Sequence, residues 1–196
     1  DNSYLIEAAK DLPLMLVNGY LEGENIYSTL CDDHAAMHHA ATGLLKSGRR
    51  RILYLYTSYS FSGVNKMEGY KDAHRDLGLP LDESLICQCA KDISVARDTL
   101  LGLHEQGLEF DAVITSDDSL AVGAAGISIP DQLSVIGYNN SLLSRCTDPE
   151  ITSIDSKVEA LCTTTINTLM GVFSGMNVPS RTTIASDLIK RQTTNF

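Results

Sequence analysis

Two short apolar runs constrain this chain most: Ala112 to Ile114 and Leu133 to Ile136, both rich in β-branched residues. Such runs suit strands buried on both faces of a parallel sheet. Each is followed by a polar pair, Asp117-Asp118 in the first case and Asn139-Asn140 in the second. In open α/β sheets ligands bind outside the carboxyl ends of the strands. Two neighbouring strands would therefore bring short, stiff polar side chains to one edge. Asp offers two acceptor oxygens and Asn both a donor and an acceptor, which complements adjacent sugar hydroxyls. A second reading stands beside this one: Ser116, Asp117 or Asp118 caps a helix beginning near Ser119.

The rest of the chain supports the sheet. Leu14 to Val17, Tyr27 to Cys31, Arg51 to Tyr56 and, more weakly, Glu83 to Cys87 read as strands. Helices are expected from Asp32 or Asp33 to about Lys46, from about Val64 to Leu77, and from Ser94 to Glu105. Strands alternating with helices of this length indicate βαβ units and a parallel, doubly wound sheet. After Asn140 the alternation changes: Ile151 to Ile154 is short and extended, a helix follows from about Ser156 to Phe173, and Thr182 to Ile189 forms a final extended stretch.

Composition excludes several classes. At 196 residues, 43% hydrophobic and 20% charged, the chain has an ordinary globular make-up. No apolar run approaches the ~20 residues of a membrane-spanning helix. The net charge of −10 argues against nucleic-acid binding by this piece, which needs clustered Lys and Arg. The basic cluster Arg49-Arg50-Arg51 reads as charge that complements a helix C-terminus. The five cysteines show no paired spacing, a pattern of reducing compartments. The chain opens on Asp1 rather than Met and without a signal peptide, so a fragment or processed form is expected.

His34 and His38, four apart with His39 beside them, have a spacing that can bind zinc. No glutamate lies between them and no third ligand has distinctive spacing, so solvent-facing histidines near a helix start are expected and no metal is assigned. Cys87-Gln-Cys89 is neither a redox Cys-x-x-Cys nor half of a zinc ribbon. Neither glycine-rich phosphate loop occurs, nor does a Gly-x-Ser-x-Gly elbow. These absences lower the odds of an enzyme without excluding one, and no cofactor is assigned.

Seven motifs in order then carry a family resemblance: Asp32-Asp33-His-Ala-Ala, Leu44 to Ile52, Glu68-Gly69-Tyr70, Phe110 to Asp118, Ile129 to Gly137, Pro149 to Ile154, and Leu188 to Arg191. Together they resemble the LacI/GalR (lactose-repressor) family of bacterial transcriptional regulators, from about Leu12 to Thr194. The resemblance implies an α/β, two-lobed, periplasmic-binding-protein-like fold with parallel, doubly wound sheets. It places residues 1–30 and 155–179 in an incomplete N-terminal lobe, and residues 31–154 and 180–196 in a C-terminal lobe. Crossings between lobes are expected near Cys31, Ser153 and Ser180. The family's helix-turn-helix headpiece, which binds operator DNA, and the first βα units of the N-terminal lobe have no counterpart here. The fifteen residues from Asp118 to Gln132 allow only a very short crossover helix, so missing residues are expected between Ala124 and Gly126.

By the same resemblance Asn18, Lys66, Ile93, Asp117 and Asn139 are the effector-binding residues. Lys66 stands where the family has a clamping arginine, Ile93 where an aromatic ring often stacks, and Asn139 where an aspartate is usual. Lys lacks the planar fork of Arg, Ile cannot stack as a ring does, and Asn139 removes a carboxylate, so the ligand is expected to differ from a plain hexose. The implied protein is a cytoplasmic, homodimeric, sugar-responsive regulator with no membrane partner. Alternatives are the solute-binding protein of a sugar ABC transporter, which has the same lobes, and an α/β enzyme acting on sugars through Asp117-Asp118.

Overall fold

The computed structural model describes residues 2–127 and 133–196. Its strands in chain order are β1 (Leu14–Val17), β2 (Ile26–Cys31), β3 (Ile52–Tyr56), β4 (Ile86–Gln88), β5 (Ala112–Thr115), β6 (Ser134–Tyr138), β7 (Thr152–Asp155), β8 (Arg181–Ile184) and β9 (Asp187–Ile189). The helices are α1 (Ser3–Ala8), α2 (Asp33–Lys46), α3 (Phe61–Asp76), α4 (Ile93–Glu105), α5 (Asp118–Ala125) and α6 (Val158–Phe173). Two sheets result, a three-stranded one in the order β1-β2-β8 and a six-stranded one in the order β4-β3-β5-β6-β7-β9. All pairings are parallel except that of β7 with β9.

The larger sheet shows why its strands read as continuous apolar runs. Every residue of β3, β5 and β6 is buried. Their side chains alternate between two cores, as the period of two requires. Ile52, Tyr54, Tyr56, Ile114, Ile136 and Tyr138 pack under α2 and α3 with Met37, Leu44 and Tyr70. Leu53, Leu55, Val113 and Val135 pack on the other side with Ala96, Leu100, Leu120 and Ala124 of α4 and α5. The smaller sheet packs α6 against β1 and β2.

The chain passes between the sheets three times: after β2, after β7, and between β8 and β9. The third passage corrects two expectations. Thr182 to Ile189 is two strands rather than one stretch, and the crossing falls at Ala185-Ser186 rather than near Ser180. The reason lies in the ladder: Ser28 N donates to Ser180 O at 2.8 Å and Asp32 N to Ile184 O at 2.9 Å. Residues 181–184 thus join the smaller sheet with β2, and not the C-terminal unit with the rest of 180–196. Helix α3 also begins earlier than expected, at Phe61, because Ser60 Oγ accepts from Gly63 N at 3.1 Å. The crossover helix α5 has only eight residues, and the start of the Ile129-to-Gly137 motif lies outside the described residues.

Helices α2 and α3 approach closely at Gly69, where an added Cβ would lie 2.3 Å from His34 O and 3.1 Å from His38 N. Backbone cannot yield as a flexible side chain does. Gly69→Ala is therefore expected to lower stability by about 1–3 kcal/mol, read as a fall in the urea midpoint at unchanged slope. His34 and His38 flank this contact, with Nε2 atoms 3.0 Å from Asp72 and 3.1 Å from Asp76 of α3. The His34 hydrogen bond, opposed by burial and helped by Arg75, holds the Asp72 carboxyl below the usual range. Among the described residues no group of three or more His, Cys, Asp or Glu is arranged to hold a metal. The basic cluster acts locally: Arg50 Nη1 donates to Leu45 O at 2.7 Å, meeting a carbonyl at the end of α2.

Candidate functional site

The carboxyl ends of β5 and β6 lie side by side, and the two polar pairs that follow them divide their work. Asp118 turns inward. Its Oδ1 accepts from Ser153 Oγ at 2.6 Å, and its Oδ2 accepts from Ser141 N at 2.6 Å and Ser141 Oγ at 2.8 Å. A Cβ on Gly137 would lie 2.2 Å from Asp118 Oδ1, so glycine is needed there for the carboxylate to reach β7. Burial pushes the Asp118 carboxyl up against these hydrogen bonds. Asp118 is thus a strut between the ends of β5, β6 and β7.

Asp117 caps α5 with one oxygen and turns the other to the carboxyl edge of the sheet. Its Oδ1 caps α5, accepting from Ser119 N at 3.0 Å and Ser119 Oγ at 2.7 Å. Its Oδ2 faces the other way and accepts from Asn139 Nδ2 at 3.0 Å and Lys91 Nζ at 2.7 Å. Burial pushes the Asp117 carboxyl up, but Lys91 and Ser119 outweigh it and hold it below the usual carboxylate range. Asn139 takes a left-handed backbone with φ of 97°, a conformation Asn tolerates better than most residues. Its Oδ1 lies 3.5 Å from Ser156 Oγ at the second crossing.

Lys66 enters the same edge from α3. It is 8% exposed, donates to Ser116 O at 3.3 Å, and holds its ammonium 3.6 Å from the centre of the Tyr138 ring. Burial lowers its pKa, although Asp33 and Asp117 pull it back up. Tyr138 in turn donates to Asp33 Oδ1 at the start of α2. Asn18, also left-handed at φ 53°, ends β1 in the smaller sheet and accepts from Cys31 N at 3.1 Å. Cys31 Sγ then reaches Ser156 O at 3.1 Å, and burial raises its pKa to about 11.

Four of the five expected residues thus belong to one chain of contacts across the two sheets: Asn18 through Cys31 and Ser156 to Asn139, Asp117 and, through Ser116, Lys66. Ile93 does not join it. It is the first residue of α4 and 40% exposed, and the group that reaches the site from its loop is Lys91. Lys91, Asp33, Tyr138 and Ser156 are not among the site residues expected from the sequence. The available signal for Lys91 was its place just after a strand, in a loop at the carboxyl edge. Beside Asn139 and Asn140 lies an open concavity of about 710 Å³, walled by Asp155, Lys157 and the first turns of α6. That volume falls in the range of small-molecule pockets.

The architecture is thus two α/β units joined by three crossings, with polar side chains gathered at the carboxyl edge of the larger sheet. The sequence matches the model of the periplasmic binding protein-like domain over residues 41–194. An HTH-type transcriptional regulator of Lachnoclostridium phytofermentans is 52% identical over 202 residues, covering 100% of this chain and 61% of that protein. The regulator AscG of Escherichia coli is 28% identical over 93% of this chain and 56% of its own length. A sugar-binding LacI-family regulator of Escherichia coli, solved in complex with phosphate, superposes with a TM-score of 0.85 at 27% identity, covering 98% of this chain and 71% of that one. The chain belongs to the periplasmic binding protein-like domain family, in the form carried by LacI/GalR-type regulators. It spans about three fifths of the length of these curated relatives. No described helix is long and apolar enough to cross a membrane.

Proposed function

We propose that this chain is the effector-binding part of a sugar-responsive LacI/GalR-type transcriptional regulator. A polyhydroxyl ligand enters between the two sheets and is held by Asp117, Asn139, Lys66 and Asn18, without chemistry. The observation that carries this reading is the second oxygen of Asp117. It is not needed for the helix cap, it sits at the carboxyl edge, and its present donors are an amide and the side chain of Lys91, which is 64% exposed. Donors of that kind can be exchanged for ligand hydroxyls. Ligand binding that favours one relative setting of the two units would bias a two-state equilibrium. A DNA-binding headpiece outside this chain would read that equilibrium in a homodimer in the bacterial cytoplasm. The named relatives are regulators, which favours this reading over a transporter's solute-binding protein. The net charge of −10 fits a part that does not itself hold DNA.

Calorimetric titration of the chain with a panel of mono- and disaccharides tests the proposal. Saturable one-to-one binding of at least one sugar, with the sugar recovered unchanged, is expected. Absence of binding across the panel, or turnover of a sugar, would contradict it.

A further inference from the structure

From the aromatic side chains that neighbour Asn18 and Lys66 in the chain we infer a second subsite, in which Tyr20 and Phe61 receive a further sugar ring, so that the effector is a disaccharide or longer. The inference rests on the function proposed above and narrows its ligand. Tyr20 lies two residues beyond Asn18, on the side of the smaller sheet, and Phe61 opens α3, five residues before Lys66. The two rings therefore come from opposite units, and their centroids stand 5.6 Å apart, tilted by 38°. Both are 37% exposed, and Tyr59 beside them is 63% exposed. None of the three belongs to either hydrophobic core of the larger sheet.

Two of these rings are also held in place. The Arg181 guanidinium lies over one side of Tyr20, 4.9 Å from its centroid. Tyr59 shares a hydrogen bond with the buried Tyr56. Oriented aromatic surface left in water beside a polar site suits a ligand with hydroxyl edges and apolar C–H faces, which is the chemistry of a pyranose. Phe61 and Lys66 stand five positions apart on the helix, about 7.5 Å of rise, a spacing comparable to one sugar unit. One ring would exchange hydroxyls with Asp117, Asn139 and Lys66, and the next would lie against Phe61 and Tyr20.

The test is calorimetry of the 196-residue chain with glucose, galactose, cellobiose, maltose and lactose, on the wild type and on Tyr20→Ala, Phe61→Ala and Phe61→Leu. The wild type is expected to bind one disaccharide at least about tenfold more tightly than its component monosaccharides. Each alanine variant should shrink that gap by about three- to tenfold, as loss of one aromatic contact implies. Monosaccharide affinity should stay within about twofold, which also shows that the variants fold. Phe61→Leu keeps the bulk without the ring and should behave like the alanine variant. Equal weakening of mono- and disaccharides would mean that the rings only hold the units together, and would overturn the inference. So would monosaccharide binding as tight as any disaccharide, which leaves the proposed function intact. Failure to bind any sugar would remove both.

Discussion

Replacing Asp117 with alanine is expected to weaken effector binding by roughly ten- to a hundredfold or more, since charge-assisted hydrogen bonds are each worth ~1.5–3 kcal/mol. It should also lower stability by ~0.5–2 kcal/mol through loss of the α5 cap. The two effects belong to different oxygens, Oδ1 on Ser119 and Oδ2 on Asn139 and Lys91. Asp117→Asn separates them. The amide oxygen can keep the bonds to Ser119, so the melting temperature should change little. The amide nitrogen then faces Lys91, and a ligand hydroxyl loses the charged acceptor, so affinity should fall most of the way to the alanine value. Thermal melts and calorimetric titrations of both variants check this. Unchanged affinity in Asp117→Ala would remove the residue from the site.

Lys66→Met is expected to do the opposite for stability while also harming function. The ammonium is buried, donates a hydrogen bond to Ser116 O and lies over the Tyr138 ring. Burial lowers its pKa in spite of Asp33 and Asp117, so the folded environment as a whole disfavours the charge. Replacing a buried charge by an apolar side chain of similar volume can raise stability by about 1–4 kcal/mol, and a gain toward the lower end is expected at pH 7. The sign of the pH dependence follows. A lysine whose folded pKa lies below its unfolded value of about 10.4 binds fewer protons when folded, so stability rises with pH between the two values. That rise should be present in the wild type and missing from Lys66→Met when urea denaturation is followed as the pH is raised toward that unfolded value. Effector affinity should fall roughly tenfold or more with the ammonium gone. A destabilised variant would show that Lys66 is held mainly by Asp33 and Asp117 as a structural charge.

The larger sheet was legible because burial on both faces leaves its mark in the sequence. Ile52 to Tyr56, Ala112 to Ile114 and Val135-Ile136 have no polar alternation to obscure them. The last strands were not legible, because β8 and β9 are short, half-exposed and separated only by Ala185-Ser186. Nothing in Thr182 to Ile189 announces that one half pairs with β2 and the other with β7. At the site, the turns after strands marked Asp117 and Asn139. What the sequence could not divide was the labour within Asp117-Asp118, since both are buried carboxylates at a helix start. Only the reach of Ser141 and Ser153 assigns Asp118 to the framework. Lys91 escaped because a long flexible side chain carries no periodic signal of where it ends. Ile93, apolar and exposed at the first turn of α4, takes no part in the polar network.

The most direct test of the account is a crystal structure of the chain with a sugar selected by titration. The expected result is a ring between the two sheets, with one or two hydroxyls within hydrogen-bond distance of Asp117 Oδ2, Lys91 displaced from the 2.7 Å contact it now makes, and Asn139 and Lys66 on the same ring. A sugar bound elsewhere, with Lys91 still on Asp117, would contradict it.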